Sequence, residues 1–325
     1  MSNFLIGLLG ALVATNQPQA VSNLILTNTG ISIAVPDPND PVEKTYQKIL
    51  ADDDAAQEEV DQWIRENQSF AEKGGGASNA VLNERIKTRF APVRSAYEDF
   101  IQRHPGHVRV RLAYGSFLMD IHDEAGAETQ WEKARQLDPK NPAAWNNLAD
   151  YYTEHGPVKK AFEYYAKASE LNPAEPLYYH NLGMVVYLFR KAAAEHYQLT
   201  EQQVFDKAFR LYNLALKLDP NNFPLATDLA QCYYGIKPIR TEDALTAWTN
   251  ALRIARDDIE RQGVYIHLAR FKLDAERFDE ARQQLNAVTN EMYAELKKRL
   301  SRNLDEREKQ AKEAHKQPEN TKPEP

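Results

Sequence analysis

One cysteine, Cys232, in 325 residues excludes an internal disulfide, and a cysteine-based zinc site would need several more thiols. Glycine (13) and proline (17) are too few for a collagen-like chain, and 42% hydrophobic residues are too many for a wholly disordered one. Positive charge is not in excess, since 40 Lys and Arg stand against 47 Asp and Glu. Proteins that hold nucleic acid through counterion release carry a basic surplus, so no nucleic-acid partner is expected. The HExxH, Walker, GxSxG and dinucleotide signatures are also missing, which argues against an enzyme and against a bound cofactor.

What chemistry-bearing residues remain have plain structural explanations. His104-Pro105-Gly106-His107 has a spacing that a metal could use, but it falls in a turn with no third or fourth ligand nearby in sequence. Asp52-Asp53-Asp54 is expected at a helix start, where acidic groups complement the helix dipole. Gly74-Gly75-Gly76 is followed by no Gly-Lys-Ser/Thr and suits a connector better than a phosphate cradle. Cys232 sits between Leu229 and Tyr233 and is expected to be packed rather than nucleophilic.

Residues 4–14 are uncharged and apolar, too short for a bilayer span of about 20 residues but long enough for a signal-peptide core. The first basic residue of the chain is Lys44, so the usual basic flank is lacking. Export to a bacterial periplasmic or envelope compartment is favoured over a cytoplasmic location, and an uncleaved helix docked on the rest of the chain is the alternative. Membrane contact is expected only through this segment. Residues 15–40 form a linker with a short strand-like alternation at 31–35, and 41–107 carry two helical stripes, around Val42–Leu50 and Val60–Phe70.

The dominant feature is a repeat. Ala127-Trp131-Ala134, Ala161-Tyr165-Ala168, Ala208-Tyr212-Ala215 and Ala244-Trp248-Ala251 share one spacing, which Ala281-Leu285-Val288 keeps with aliphatic substitutes. Offsets of four and seven place all three residues on one helical face. Twelve residues upstream of the first alanine lie Tyr114-Gly115, Leu148-Ala149 and Leu268-Ala269, and Leu182-Gly183 and Leu229-Ala230 supply the same pair at longer range. Asp138-Pro139, Asn172-Pro173 and Asp219-Pro220 end the second helices. Units 108–141 and 142–175 are each 34 residues long.

This pattern resembles the tetratricopeptide repeat, most closely over 142–175, through Trp145, Leu148, Ala149, Tyr152, Gly156, Ala161, Tyr165, Ala168 and Pro173. The resemblance covers 108–295 as units 108–141, 142–175, 176–222, 223–261 and 262–295, with a degenerate unit at 74–107 that keeps Tyr97 and Pro105. It implies an all-α, right-handed superhelix of stacked helix pairs with a concave groove lined by the first helices. A charged capping helix and polar tail follow at 296–325. Unit 176–222 has 13 extra residues between its helices; the first helix is expected to run on through 189–197 and the second to start at the capping box Thr200-Glu201-Gln202-Gln203.

The resemblance places Asn146, Asn147, Asp150, His180, Asn181, Met184, Tyr187, Thr227, Gln231 and Tyr234 in the groove, beside Leu112, Ser116 and Arg270. The family's lysine–asparagine–arginine clamp for terminal carboxylates is not reproduced: only Asn147 matches, while Leu112, Ser116, Leu177 and Asn181 stand at the other positions. The implied function is a non-catalytic scaffold holding a peptide or helix of a protein partner. The alternative is a structural element that self-assembles as a homo-oligomer through the extended 176–222 hairpin and the charged terminal helix. Close helix packing at the small residues predicts that Gly183→Leu and Ala168→Trp each destabilise by about 1–3 kcal/mol, seen as a lowered urea midpoint.

Overall fold

The computed structural model describes residue 37 and residues 39–314. The apolar run 4–14, the alternation at 31–35 and the polar end of the tail lie outside the described residues. Among those described, regular structure is entirely helical, with 14 α-helices, two single-turn 3-10 segments and no strand. The chain divides into two compact units, Met1–Ala174 and Glu175–Pro325.

The first unit holds α1 (Pro41–Ala71), α2 (Asn79–Arg103), α3 (Val108–Asp120), α4 (Glu124–Leu137), α5 (Pro142–His155) and α6 (Val158–Leu171), which pair in order as three hairpins. The second holds α7 (Pro176–Leu188), α8 (Arg190–Tyr197), α9 (Glu201–Leu218), α10 (Phe223–Cys232), α11 (Thr241–Ile254), α12 (Asp258–Asp274), α13 (Phe278–Asn286) and α14 (Ala294–Ala314). There α7 pairs with α9, α10 with α11 and α12 with α13, and α14 packs on the last hairpin. Side-chain caps start most of these helices: Asp40, Ser78, His107, Asp123, Asn141, Glu175, Thr200, Asn222 and Asp257 each accept an orphan backbone N–H. His107 is therefore a cap, its Nδ1 accepting from the Val110 N–H at 3.1 Å. Gly156, at φ 69° and ψ 173°, ends α5 in a conformation that a side chain would strain.

The alanine–aromatic–alanine faces are the core of each hairpin. Ala127, Ala134, Ala161, Ala168, Ala208, Ala215, Ala244 and Ala251 are all fully buried, and the aromatics between them nearly so. Their bulk dictates where glycine is required. A Cβ on Gly115 would lie 2.3 Å from Trp131 Nε1, and one on Gly183 would lie 3.2 Å from Tyr212 and 3.3 Å from the Ala208 carbonyl.

Three sequence expectations are corrected. The stripes of 41–71 belong to one 31-residue helix, α1, which supplies the first helix for α2; the first helix of that hairpin is not within 74–107. Asp52-Asp53-Asp54 consequently sits mid-helix. Asp53 is held there because Tyr97, fully buried on α2, donates its hydroxyl to Asp53 Oδ2 at 2.7 Å. Gly74 (φ 81°) and Gly76 (φ 107°) form the turn between the two helices. At the other end of α1, Glu43 accepts from Arg109 at 2.9 Å and so ties it to α3.

The third correction concerns the insertion. The first helix of unit 176–222 does not run on. It breaks at Phe189 (φ −102°, ψ 40°), and α8 forms a separate eight-residue helix ended by Gln198 in the left-handed region (φ 54°). The break lets Ala193 become fully buried and sets Lys207 4.1 Å from the Tyr197 ring, contacts that a straight extension would carry away from the unit. The Thr200–Gln203 capping box forms as expected. The added first turns of α9 brace the enlarged loop before α11: Gln202 donates to the Lys237 carbonyl at 2.8 Å, and Arg240 bonds Asp206 (2.6 Å) and Gln202 (2.7 Å). The insertion thus supports its neighbour.

Burial pushes the Asp53 carboxyl up to about 6, against the pull of its hydrogen bonds from Tyr97 and Gln57. The folded state then binds more protons than the unfolded one between about pH 4 and 6, so this contribution is complete below the unfolded pKa and is lost as pH rises through about 6. Asp53→Asn should match the native chain in urea unfolding at pH 4. At pH 7 it should exceed it by about 1–2 kcal/mol, a figure discounted for partial exposure.

Candidate functional site

In the first unit the face of α5 is organised by Asp150. Asn146, 5% exposed, donates Nδ2 to Asp150 Oδ2 at 3.1 Å, and the buried Tyr165 hydroxyl donates to Asp150 Oδ1. Asp150 keeps one exposed edge, yet the protein around its carboxyl pushes it up to about 6, opposed by the bonds from Tyr165 and Asn146. Asn147 departs from expectation. It is buried beneath the face, its amide oriented to accept from Trp131 Nε1 (3.2 Å) and to donate to the Ala143 carbonyl (3.1 Å). Leu112 and Ser116 are half-buried on α3; the Leu112 carbonyl also accepts from Trp131 Nε1 at 3.2 Å, and from Ser116 Oγ at 3.3 Å.

The second unit carries the longer face, from α7 across α10 to α12. His180 Nε2 lies 3.0 Å from Asp228 Oδ2, joining α7 to α10. Asn181 and Thr227 are half-buried, and Thr227 spends its hydroxyl on the Pro224 carbonyl at 2.8 Å. Gln231 is exposed on α10. Met184, Tyr187 and Tyr234 are partly buried and pack against the unit's hydrophobic core. The Tyr187 hydroxyl meets the Gly235 backbone so closely that a Cβ there would lie 2.1 Å from it.

Tyr234 is the centre of an aromatic array that the groove pattern did not foresee. Its hydroxyl lies 2.9 Å from His267 Nδ1, and its ring stacks on Phe271 at 4.4 Å. His267 in turn lies flat on Trp248, with centroids 4.0 Å apart and planes within 4°. Burial, aided by the Arg270 charge, pushes His267 down to about 4, which keeps the imidazole neutral at neutral pH. Arg270 is exposed, its guanidinium 4.8 Å from the Tyr234 ring centroid.

His267 and Asp228 were legible in register. They occupy the same step of their units as Asn147 and Asn181, the residue after the expected groove position. Cys232 is 5% exposed, and burial pushes its thiol up to about 12, which leaves it protonated and packed against Tyr212. No cluster of three metal-ligating side chains occurs among the described residues, and none of the described helices is long and apolar enough to cross a membrane.

A cleft of about 560 Å³ lies at the far end of the α1–α2 hairpin, where Arg85 stacks 3.6 Å over Trp63.

A solved structure of the C-terminal part of a TPR repeat-containing protein from Cytophaga hutchinsonii matches 78% of this chain and 98% of its own, at 14% identity and a TM-score of 0.51. The chain has the tetratricopeptide-repeat fold. No family model matches it. Among curated proteins, the photosystem I assembly protein Ycf3 of Rippkaea orientalis is 31% identical over 78 residues, 24% of this chain and 45% of the relative. The Synechococcus protein of that name is 29% identical over 128 residues, 37% of this chain and 74% of its own. The chain thus spans under half the length of the first of these relatives.

The Tyr187–Gly235 contact predicts that Gly235→Ala destabilises by about 1–3 kcal/mol through overpacking. Tyr187→Phe, which removes the obstructing hydroxyl, should restore most of that loss in the double variant. Urea unfolding of the four chains closes the cycle.

Proposed function

We propose that this chain is a non-catalytic protein-interaction scaffold, and that a peptide or helical segment of a partner lies along the second unit's face, across α7, α10 and α12. The observation that carries this reading is the mixture on that face. Fixed pairs, His180–Asp228 and Tyr234–His267, alternate with exposed groups, Gln231 and Arg270, and with half-exposed tyrosine and methionine. Adaptable methionine, tyrosine and arginine are the residue types enriched at recognition surfaces. Braced helices hold them ready, so little side-chain freedom is lost on binding.

The stacked-hairpin fold supports the reading, as does the name of the curated relatives, which describes an assembly protein. The Asp150 face of the first unit is a second polar surface, but Asn146 and Tyr165 already occupy its carboxylate.

A photo-reactive amino acid placed at Gln231 tests this directly. It should cross-link a protein partner in cells, whereas the same group at Thr246, exposed on α11, should not. Cross-links from Thr246 and none from Gln231 would move the site off this face.

A further inference from the structure

The unit's charges are not evenly neutralised along this face. Arg270 and Asp274 stand four residues apart on α12, a spacing at which opposite charges commonly pair. Here they do not. Asp274 is held instead by Arg307 of α14 at 2.9 Å, and Arg270 enters no ion pair among the described residues.

Arg270 is nevertheless not a loosely waving side chain. Its guanidinium lies over the Tyr234 ring, and Tyr234 is itself fixed by Phe271 on one side and by His267 at its hydroxyl. His267 cannot relieve the positive charge, being neutral at neutral pH, nor can it move away, being stacked on a Trp248 that is 1% exposed. Gln231, three residues before Tyr234, is an exposed amide near the end of α10. An arginine held over an aromatic ring still presents the N–H donors at the rim of its own guanidinium plane, the fork that a carboxylate accepts in two parallel bonds.

We infer that Arg270 and Tyr234 form a carboxylate-reading subsite, which takes an aspartate or glutamate side chain from the partner segment that Gln231 flanks. This rests on the scaffold reading and adds the partner's chemistry to it. The subsite differs from the terminal-carboxylate clamp, whose positions hold Leu112, Ser116, Leu177 and Asn181 in this chain. The occupant is a side chain within a peptide, so it does not require a chain end.

A random dodecapeptide library panned against the full chain and, separately, against its Arg270→Gln variant provides the test. Peptides selected by the native chain should be enriched in Asp and Glu. Replacing the enriched acid by its amide in a synthetic peptide should weaken binding to the native chain at least tenfold by calorimetry, and by less than twofold to Arg270→Gln. Arg270 is exposed, so the variant should keep the native melting temperature. Selection without acidic enrichment, failure to select any peptide, or an acid preference unchanged in Arg270→Gln would each overturn the subsite. Cross-linking from Gln231 separates the two levels: a partner captured there with no acid preference removes the subsite and leaves the scaffold on this face, while no capture there removes this face as the scaffold's site and the subsite with it.

Discussion

An aromatic ring wedged between two alanines is the contact on which the hairpins depend. Apolar burial alone would accept a leucine there, as the last repeat does with Leu285, but Tyr and Trp add a polar edge that must find a partner once buried. In these hairpins the edge reaches the first-helix side. Tyr97 meets Asp53, Trp131 meets Asn147 and the Leu112 carbonyl, Tyr165 meets Asp150, and Tyr212 meets Cys232. Trp248 differs: its Nε1 has no hydrogen-bond partner among the described residues, and its ring is covered by the His267 imidazole. The second helix of each hairpin thereby fixes which polar residue its neighbourhood can tolerate. Packing and the chemistry of the face are set by the same side chains.

That coupling explains how much was legible in the sequence. The small–aromatic–small spacing records close helix approach, so the five hairpins of 108–295 and their order could be derived from residue type and period alone. The Thr200 capping box is equally local and formed as written. The misread parts have partners far away in sequence. Asp53 was assigned to a helix start because three acidic residues favour one, but the group that holds it mid-helix is Tyr97, 44 residues later. The break at Phe189 has no proline or glycine to announce it, and what it achieves is the burial of Ala193.

The groove residues show the same division. A helix turns about 100° per residue, so adjacent positions differ in role. Asn146 and Asn147 looked alike as groove amides, yet the first bonds the face carboxylate and the second turns inward to Trp131. Met184, Tyr187 and Tyr234 looked like free contact surface, and each contributes to the core of its unit. What escaped was that Asp228 and His267 stand in register with Asn147 and Asn181, at the sixth position of four of the five repeats. A polar residue recurring at one step of an otherwise apolar pattern is the signal of a partner within the fold: Asn147 meets Trp131, Asp228 meets His180 and His267 meets Tyr234.

The consequence for recognition is subtractive. His180 and Asp228 already pair with each other, as do Tyr234 and His267, so a ligand that drew on them would first have to break a bond made within the unit. Such exchange gains little, because a hydrogen bond replaced by another contributes only a small net amount. Specificity on this face must therefore come from groups that the fold leaves unspent. Arg307, by occupying Asp274, determines that Arg270 is one of them. The terminal helix α14, whose sequence suggested a charged cap or a self-assembling element, thus acts on the proposed face without lying on it. It removes the carboxylate that would otherwise neutralise the arginine.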